Sequence, residues 1–165
     1  MGISRRQFIQ ATAAGTVLPT LSACGTPEAV PAPGVSLSGF DHATTAEEVT
    51  EGMDLGGKLA VVTGCNSGIG FETMRVLALR GAYVIGTGRT LEKAQEACSR
   101  VRGVTTPIQL ELSDFDSIVA CAETIRAMNT PVDMLICNAG MRGGDYGVVN
   151  GVERHFAVNH LGHFL

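Results

Sequence analysis

From position 58 onward, short apolar runs alternate with longer stretches in which an apolar residue recurs every three or four positions. Continuous apolar runs indicate strands buried on both faces of a sheet, and the longer periodic stretches indicate amphipathic helices. The predicted strands are 59–62, 83–85, 107–112 and 132–137. The predicted helices are 69–80, 91–102, a third that begins at Ser113 and Asp114, and a last one from near Val152.

Strands that alternate with helices of this length are joined by right-handed crossovers and form a parallel sheet covered on both faces. The pattern therefore predicts an α/β fold, a Rossmann-like doubly wound parallel sheet that is truncated after strand four and the start of the next helix. In such sheets, ligands bind at the carboxyl ends of the strands, beside the first strand. We expect the functional residues to follow the predicted strands.

A glycine-rich turn joins the first predicted strand to the first predicted helix, with the sequence TGCNSGIG over 63–70. Gly64 permits a sharp exit from the strand, Gly68 lets a pyrophosphate approach the backbone, and Gly70 allows close packing where the helix begins. The free N–H groups of the helix then face the phosphates. The residues expected to bind a dinucleotide here are Gly64, Asn66, Ser67, Gly68, Ile69 and Gly70.

Arg89 follows the second predicted strand. An acidic residue at this place would bond the ribose hydroxyls of NAD, whereas an arginine pairs with the 2′-phosphate of NADP. The alternative is an arginine that only caps a loop in solvent. We expect NADP as the cofactor, with NAD as the second choice.

The spacing T-G-x-x-x-G-I-G resembles the short-chain dehydrogenase/reductase family, and three further motifs strengthen the resemblance over residues 54–165. These motifs are Asn138, Ala139 and Gly140 after the fourth strand, Asp114 after the third, and Asn159 in the sequence VNHLG. The resemblance implies hydride transfer between a nicotinamide and an alcohol or carbonyl carbon. It also implies that Asp114 contacts the adenine, and that Asn159 is a catalytic residue that supports helix geometry and a water.

In this family, a Tyr and a Lys spaced Y-x-x-x-K relay the proton. Tyr83 and Tyr146 are instead followed four positions later by Thr87 and Asn150. We therefore expect the chain to be the N-terminal part of a longer oxidoreductase. This part lacks the catalytic Tyr and Lys.

Two alternatives stay open, a non-catalytic half-domain that binds a nucleotide or a partner, and a structural envelope lipoprotein with no nucleotide affinity. A protein that ended at Leu165 is expected to self-associate, to bind NADP weakly and to be inactive, since strand four would leave an apolar edge open.

The segment 150–165 is similar to family members that act on lipophilic alcohols and aldehydes, including the retinol dehydrogenase-like group.

Residues 1–23 are predicted to be an export signal. Arg5 and Arg6, followed by a weakly apolar stretch, resemble a twin-arginine signal. The stretch is too short for a transmembrane helix and contains Pro19. The sequence LSAC that ends at Cys24 resembles a lipobox, so we expect a lipid anchor there, with an ordinary cleavage site as the alternative. Residues 24–53 are expected to be a tether and lead-in, and residues 54–165 a domain in the periplasm or cell envelope.

Composition and cysteine spacing exclude two classes of ligand, nucleic acids and metal ions. The net charge of -4 carries no basic stripe, and aromatic residues are few, so nucleic acid is not expected as a partner. Cys65, Cys98, Cys121 and Cys137 lack C-x-x-C spacing, so we expect buried thiols and no metal site. If export allowed a disulfide, Cys98 and Cys121 would be the pair to test. We expect a small, lipophilic alcohol or carbonyl as substrate and a homo-oligomeric full-length form.

Overall fold

The computed structural model describes residues 38–144 and 146–165 of the 165-residue chain. The predicted export signal, with Arg5, Arg6 and Cys24, lies outside the described residues. Within them, residues Phe40–Leu165 belong to one structural unit. None of the helices described is both long and apolar enough to cross a membrane.

Four parallel strands form the central sheet: β1 (Leu59–Val62), β2 (Tyr83–Gly88), β3 (Thr105–Gln109) and β4 (Met134–Ile136). Their order in the sheet is β3-β2-β1-β4. The chain therefore moves outward from β1 to β3 and then returns to the other side of β1. This reversal places the switch point of the fold between β1 and β4, and it confirms the predicted Rossmann-like sheet.

Three of the helices described pack on the two faces of the sheet: α2 (Gly68–Leu79), α3 (Leu91–Ser99) and α4 (Phe115–Ala127). The short helix α1 (Ala46–Val49) packs against α2. Successive strand residues point to opposite faces, so β1 contributes to two cores. Val62 packs with Met74 and Cys98 from α2 and α3 on one face. Leu59 packs with Cys121 from α4 on the other. All four residues of β1 are buried, as the continuous apolar run predicted.

The bounds of the elements differ from the predicted ones where glycine or proline interrupts the pattern. β2 continues to Gly88, three residues beyond the predicted end, because Gly86 lets α2 pack against the strand. A Cβ at Gly86 would lie 2.5 Å from the Met74 sulfur. β3 begins at Thr105, before Pro107, and pairs with β2 over five residues. α3 ends at Ser99 and β4 is shorter at both ends than predicted.

The last helical segment begins later than predicted. β5 (Val148–Val149) and β6 (Val152–Glu153) pair antiparallel around Asn150 and Gly151, which both have positive φ values, 52° and 78°. An Asn-Gly pair between apolar residues is a strong hairpin signal, and the prediction of a helix from near Val152 overlooked it. Helical structure begins at Arg154, where the Glu153 carboxylate accepts hydrogen bonds from the next N–H groups.

The final segment consists of α5 (Arg154–Phe156), a π-helical turn (Ala157–Leu161) and α6 (Gly162–Phe164). A π-helical turn rotates the residues that follow it relative to a regular helix, and such turns are frequent at functional sites. Asn159 lies at the centre of this turn.

A short helix, α1, lies inside the segment that the sequence suggested as tether and lead-in. Thr45 and Glu48 form a capping box at its start. Arg75 of α2 forms an ion pair with Glu47 at 2.6 Å, and Arg80 donates a hydrogen bond to the Glu47 carbonyl. This helix was not predicted, although the residues of its capping box are visible in the sequence.

The cysteines confirm one expectation and correct another. Cys65, Cys98 and Cys121 are buried free thiols, as predicted. Cys137 is also free but exposed, so the prediction that it is buried was wrong. The reason is that β4 is the edge strand of the described sheet, with Leu135 63% exposed. Cys98 and Cys121 pack in cores on opposite faces of the sheet, which rules out a disulfide between them.

Candidate functional site

A cavity of about 700 Å³ lies at the carboxyl ends of the four parallel strands. Small-molecule and cofactor sites in proteins are typically roughly 300–1,000 Å³ in volume. Nine of the twelve site residues predicted from the sequence line the cavity. They are Gly64, Asn66, Ser67, Ile69, Gly70, Arg89, Asn138, Ala139 and Gly140.

Two glycines of the turn after β1 are required by close contacts. Gly64 has a positive φ of 72°, and a Cβ on it would lie 2.9 Å from the Ala139 Cα atom. A Cβ on Gly70 would collide with the Gly64 carbonyl oxygen and with the Asn138 side-chain nitrogen. The turn after β1 and the loop after β4 therefore touch, and glycine is what permits their contact.

The amino end of α2 forms one wall of the cavity through Ile69 and Gly70. Ser67 occupies the N-cap position, but its side chain makes no capping hydrogen bond. The first N–H groups of the helix are therefore left for a ligand, and the helix dipole favours an anion there. Gly68 does not line the cavity; a Cβ on it would meet no atom within 4 Å, and its φ of 60° is what favours glycine.

Asn138 and Thr63 fasten the loop after β4 to the end of β1. The Asn138 Nδ2 atom donates to the Thr63 carbonyl at 2.9 Å and to the Gly64 carbonyl at 3.3 Å. In return, the Ala139 N–H donates to the Thr63 hydroxyl oxygen at 2.9 Å. Thr63 is buried. These bonds fix the backbone of the loop at the base of the cavity.

Asn159 holds the far end of the same loop. Its Oδ1 atom accepts a hydrogen bond from the Met141 N–H at 2.8 Å, and its Nδ2 atom donates to the Met141 carbonyl at 2.9 Å. A Cβ on Gly140 would lie 3.3 Å from the Asn159 Oδ1 atom. Asn159 does not line the cavity itself. It positions Gly140 and Met141, which do.

Arg89 lines the cavity and is exposed. Its carbonyl accepts a hydrogen bond from the Gln109 side chain at 3.3 Å. Its guanidinium group has no hydrogen-bond acceptor or ion-pair partner in residues 38–144 and 146–165. A cation without a protein partner at the edge of a cavity is available to an anionic ligand.

Asp114, expected from the resemblance to contact the adenine, does not line the cavity. Its carboxylate is the N-cap of α4 and accepts hydrogen bonds from the N–H groups of Asp116 and Ser117. Glu111 lines the cavity three residues earlier, and its carboxylate accepts hydrogen bonds from the Ser113 N–H and hydroxyl. The structure therefore gives Asp114 a capping role and leaves Glu111 as the acidic residue at the cavity.

Cys65 lies in the glycine-rich turn but belongs to the core. Its thiol donates to the Val62 carbonyl at 3.0 Å, and the residue is fully buried. Burial raises the pKa of Cys65 to about 12. The thiol therefore stays protonated and serves as a small apolar group beneath the turn.

Half of the residues that line the cavity were not predicted from the sequence. The predicted third strand ran to position 112, so Leu110, Glu111 and Leu112 were assigned to a strand interior, although β3 ends at Gln109. Had the third strand been predicted to end at Gln109, these three residues would have been placed in a loop beside the site. The lining residues that were not predicted are Gly88, Leu110, Glu111, Leu112, Ser113, Met141, Val149, Arg154 and Val158.

The family model described as short chain dehydrogenase matches residues 58–165. The chain belongs to this family. The matched region begins just before β1 and includes every residue that lines the cavity.

Curated relatives extend the similarity to named oxidoreductases. The chain is 42% identical over 131 residues to the WW domain-containing oxidoreductase of Homo sapiens, a match that covers 76% of the chain and 32% of that protein. It is 44% identical over 122 residues to retinol dehydrogenase 12 of Mus musculus, covering 70% of the chain and 39% of that protein. The chain thus spans about a third of the length of the relatives it matches.

Solved structures show the same fold. A metagenomic short-chain oxidoreductase in complex with NADP matches with a TM-score of 0.54 and 31% identity, over 66% of this chain and 52% of that one. A 3-ketoacyl-(acyl-carrier-protein) reductase from Brucella melitensis complexed with NADH matches with a TM-score of 0.57 and 27% identity, over 68% of this chain and 48% of that one.

Proposed function

We propose that the chain is the cofactor-binding part of an NADP-dependent oxidoreductase that interconverts an alcohol and a carbonyl. The observation that carries the proposal is the convergence of three features on one cavity. They are the amino end of α2 without a side-chain cap, the glycine turn closed against the loop after β4, and the Arg89 guanidinium, which has no partner within residues 38–144 and 146–165. Together they offer two places for phosphate groups, which a dinucleotide with a 2′-phosphate requires.

The residues around the cavity fit the parts of such a cofactor. The turn from Gly64 to Gly70 and the first N–H groups of α2 would bind the pyrophosphate. Arg89 would bind the 2′-phosphate, and Leu110 to Ser113 would lie beside the adenine, a role that the resemblance assigned to Asp114. The loop from Asn138 to Met141, held by Asn159, would position the nicotinamide. When bound, this group exchanges a hydride with the substrate carbon.

The proton donor of the reaction is proposed to come from outside the described residues. The Tyr83 hydroxyl lies 2.7 Å from the Thr106 hydroxyl on β3, and Tyr83 does not line the cavity. Tyr146 is 88% exposed and packs beside the His155 ring, with 5.7 Å between ring centroids. Asn159 is therefore proposed to support catalysis by holding the loop beside the nicotinamide.

A lipophilic alcohol or aldehyde is the proposed substrate class. The support is the similarity of residues 150–165 to retinol dehydrogenase-like members and the match to retinol dehydrogenase 12. The second candidate function is a non-catalytic nucleotide-binding half-domain, which the absence of a tyrosine from the cavity lining among the described residues favours. Turnover of an alcohol with NADP by the longer protein would decide for the oxidoreductase, and nucleotide binding without turnover for the half-domain.

The cofactor proposal is tested by titrating the chain with NADPH and NADH and following nicotinamide fluorescence. Arg89→Ala should weaken NADPH binding about ten- to hundredfold and leave NADH binding nearly unchanged, because a charge-assisted bond to phosphate is worth about 1.5–3 kcal/mol. Arg126→Ala, an exposed arginine of α4 outside the cavity lining, is the matched control. Equal losses for both nucleotides would contradict the role of Arg89, and no binding of either would contradict the proposed function.

We also propose that the protein is exported through a twin-arginine signal and anchored by a lipid at Cys24. The support is the sequence of residues 1–24 alone. Replacing both Arg5 and Arg6 by lysine should leave the protein in the cytoplasm, as cell fractionation would show. Mass spectrometry of the mature N-terminus should find acyl chains on Cys24. Unchanged export of the lysine variant would contradict the signal, and an unmodified terminus elsewhere would contradict the anchor.

A further inference from the structure

His163 lies between the end of β1 and the π-helical turn. Its Nε2 atom is 2.9 Å from the Thr63 hydroxyl oxygen. His163 is half-buried and does not line the cavity. The imidazole therefore joins the last helical segment to Thr63, which holds the loop after β4.

The hydrogen bonds around Thr63 favour one tautomer of His163. The Thr63 oxygen accepts the Ala139 N–H, and the nearest acceptor for the hydroxyl proton is the His163 Nε2 atom. When the neutral ring accepts at Nε2, its own proton is on Nδ1. The alternative acceptor for that hydroxyl, the Ile136 carbonyl, is more distant at 3.4 Å and already accepts the Thr63 N–H.

The result is a chain of hydrogen bonds that runs in one direction. The Ala139 N–H donates to the Thr63 oxygen, and the Thr63 hydroxyl donates to His163. Asn159, in the same helical segment as His163, holds the Met141 backbone through its side chain. Burial lowers the pKa of His163, which keeps the ring neutral near pH 7.

We propose that His163, as the neutral Nδ1–H tautomer, is a positioning residue of the cofactor site that holds the Thr63 hydroxyl to the last helical segment. Through this bond it sets the distance between the end of β1 and the π-helical turn, and with it the backbone of the loop from Asn138 to Met141. Its effect on nucleotide affinity rests on the proposed function; the tautomer and the hydrogen-bond chain do not.

The tautomer is tested by ¹⁵N NMR on the full chain with labelled histidine, with the His163 signals assigned by their loss in His163→Gln. The Nδ1–H form is expected. Thr63→Val should shift the Nε2 signal, because the ring loses its hydrogen-bond donor, whereas Thr63→Ser keeps the hydroxyl and should preserve the signal. An Nε2–H tautomer, or an Nε2 signal that Thr63→Val leaves unchanged, would overturn the proposal.

The positioning role is tested by NADPH affinity in variants that retain a cooperative thermal transition. His163→Leu should weaken binding about two- to tenfold, the amount expected from losing one neutral hydrogen bond. His163→Gln, whose amide both accepts and donates, should recover part of the loss. In the Thr63→Val background, His163→Leu should weaken NADPH binding by a smaller factor than it does alone, because both residues belong to one chain of hydrogen bonds.

His160→Leu is the matched control for this series. His160 lies in the same helical segment, but its ring stacks between Phe156 and Phe164 at 5.1 and 6.4 Å and does not line the cavity. Its substitution should leave NADPH affinity unchanged. Additive effects of Thr63→Val and His163→Leu, or equal losses in His160→Leu and His163→Leu, would overturn the positioning role. If the unaltered chain bound no nucleotide, the proposed function would fail, and the tautomer measurement would still decide on the hydrogen-bond chain.

Discussion

The side-chain amide of Asn159 binds both polar groups of the Met141 backbone, accepting from its N–H at 2.8 Å and donating to its carbonyl at 2.9 Å. A backbone unit held by both groups has little freedom to rotate. The loop that ends at Met141 is therefore fixed to the π-helical turn on one side and, through Ala139 and Thr63, to β1 on the other.

Asn159→Asp should weaken this link more than the change of a single atom suggests. The carboxylate still accepts from the Met141 N–H, but it faces the Met141 carbonyl without a donor, so one hydrogen bond becomes a repulsion. We expect a loss of about 1–2 kcal/mol in the free energy of unfolding, measured by urea denaturation, and weaker NADPH binding. Thr124→Ala, which removes a hydroxyl from the exposed side of α4, is the control. Equal stability of the two variants would show that the Asn159 contacts contribute nothing.

Gly70→Ala should destabilise the protein and abolish nucleotide binding, because the added methyl group collides with the Gly64 carbonyl and the Asn138 amide. Overpacking of this kind costs about 1–3 kcal/mol, which thermal denaturation would detect. Gly39→Ala is the matched control, since no atom lies within 4 Å of a Cβ there and the backbone has no positive φ. If both variants had the same melting temperature, the turn after β1 would accommodate a methyl group that the contacts predict it cannot hold.

The pKa of His155 should fall toward its ordinary value of 6.5 in Glu153→Gln, as an NMR titration would measure. The Glu153 carboxylate raises the pKa of His155, and hydrogen bonds from the His155 N–H and ring lower the pKa of Glu153 to about 2. Glu51→Gln, an exposed glutamate distant in sequence, should leave the titration unchanged.

The same pair predicts how pH affects the start of α5. Glu153 has a lowered pKa, so its contribution to stability is present above its ordinary value of 4.5 and lost as the pH falls through about 2. His155 has a raised pKa, so its contribution is present below 6.5 and lost as the pH rises through the raised value. Hydrogen-exchange protection of the His155 and Phe156 N–H groups should therefore be greatest between about pH 4.5 and 6.5. Protection that kept rising above this range would contradict the pairing.

Cys137 should react first among the four described cysteines. It is exposed, whereas Cys65, Cys98 and Cys121 are buried and burial raises the pKa of each of these three thiols. Brief treatment with iodoacetamide followed by peptide mass spectrometry should find Cys137 alkylated and the others intact until denaturant is added. Early alkylation of Cys121 would indicate that the core on the α4 side opens in solution.

The sequence predicted the sheet well because its evidence was local. β1 is apolar over four consecutive residues, and its predicted bounds are the observed ones. The same holds for the position of the glycine-rich turn between β1 and α2, while its phosphate-binding role stays a prediction. Errors arose where a strand end depended on its neighbours. β3 ends at Gln109 because its pairing with β2 ends there, and no periodicity within 107–112 marks that position.

By itself the sequence determined the four parallel strands and the helices between them, and the place of the glycine-rich turn after β1, because these follow from backbone sterics and from apolar spacing along the chain. Only the tertiary structure decided that Glu111, rather than the helix-opening Asp114, lines the cavity. It alone also showed that Thr63 and His163, one hundred residues apart, share a hydrogen bond. Such contacts depend on how β1, β4 and the last helical segment pack in space, and a hydrogen bond forms only where packing brings a donor and an acceptor within about 3 Å.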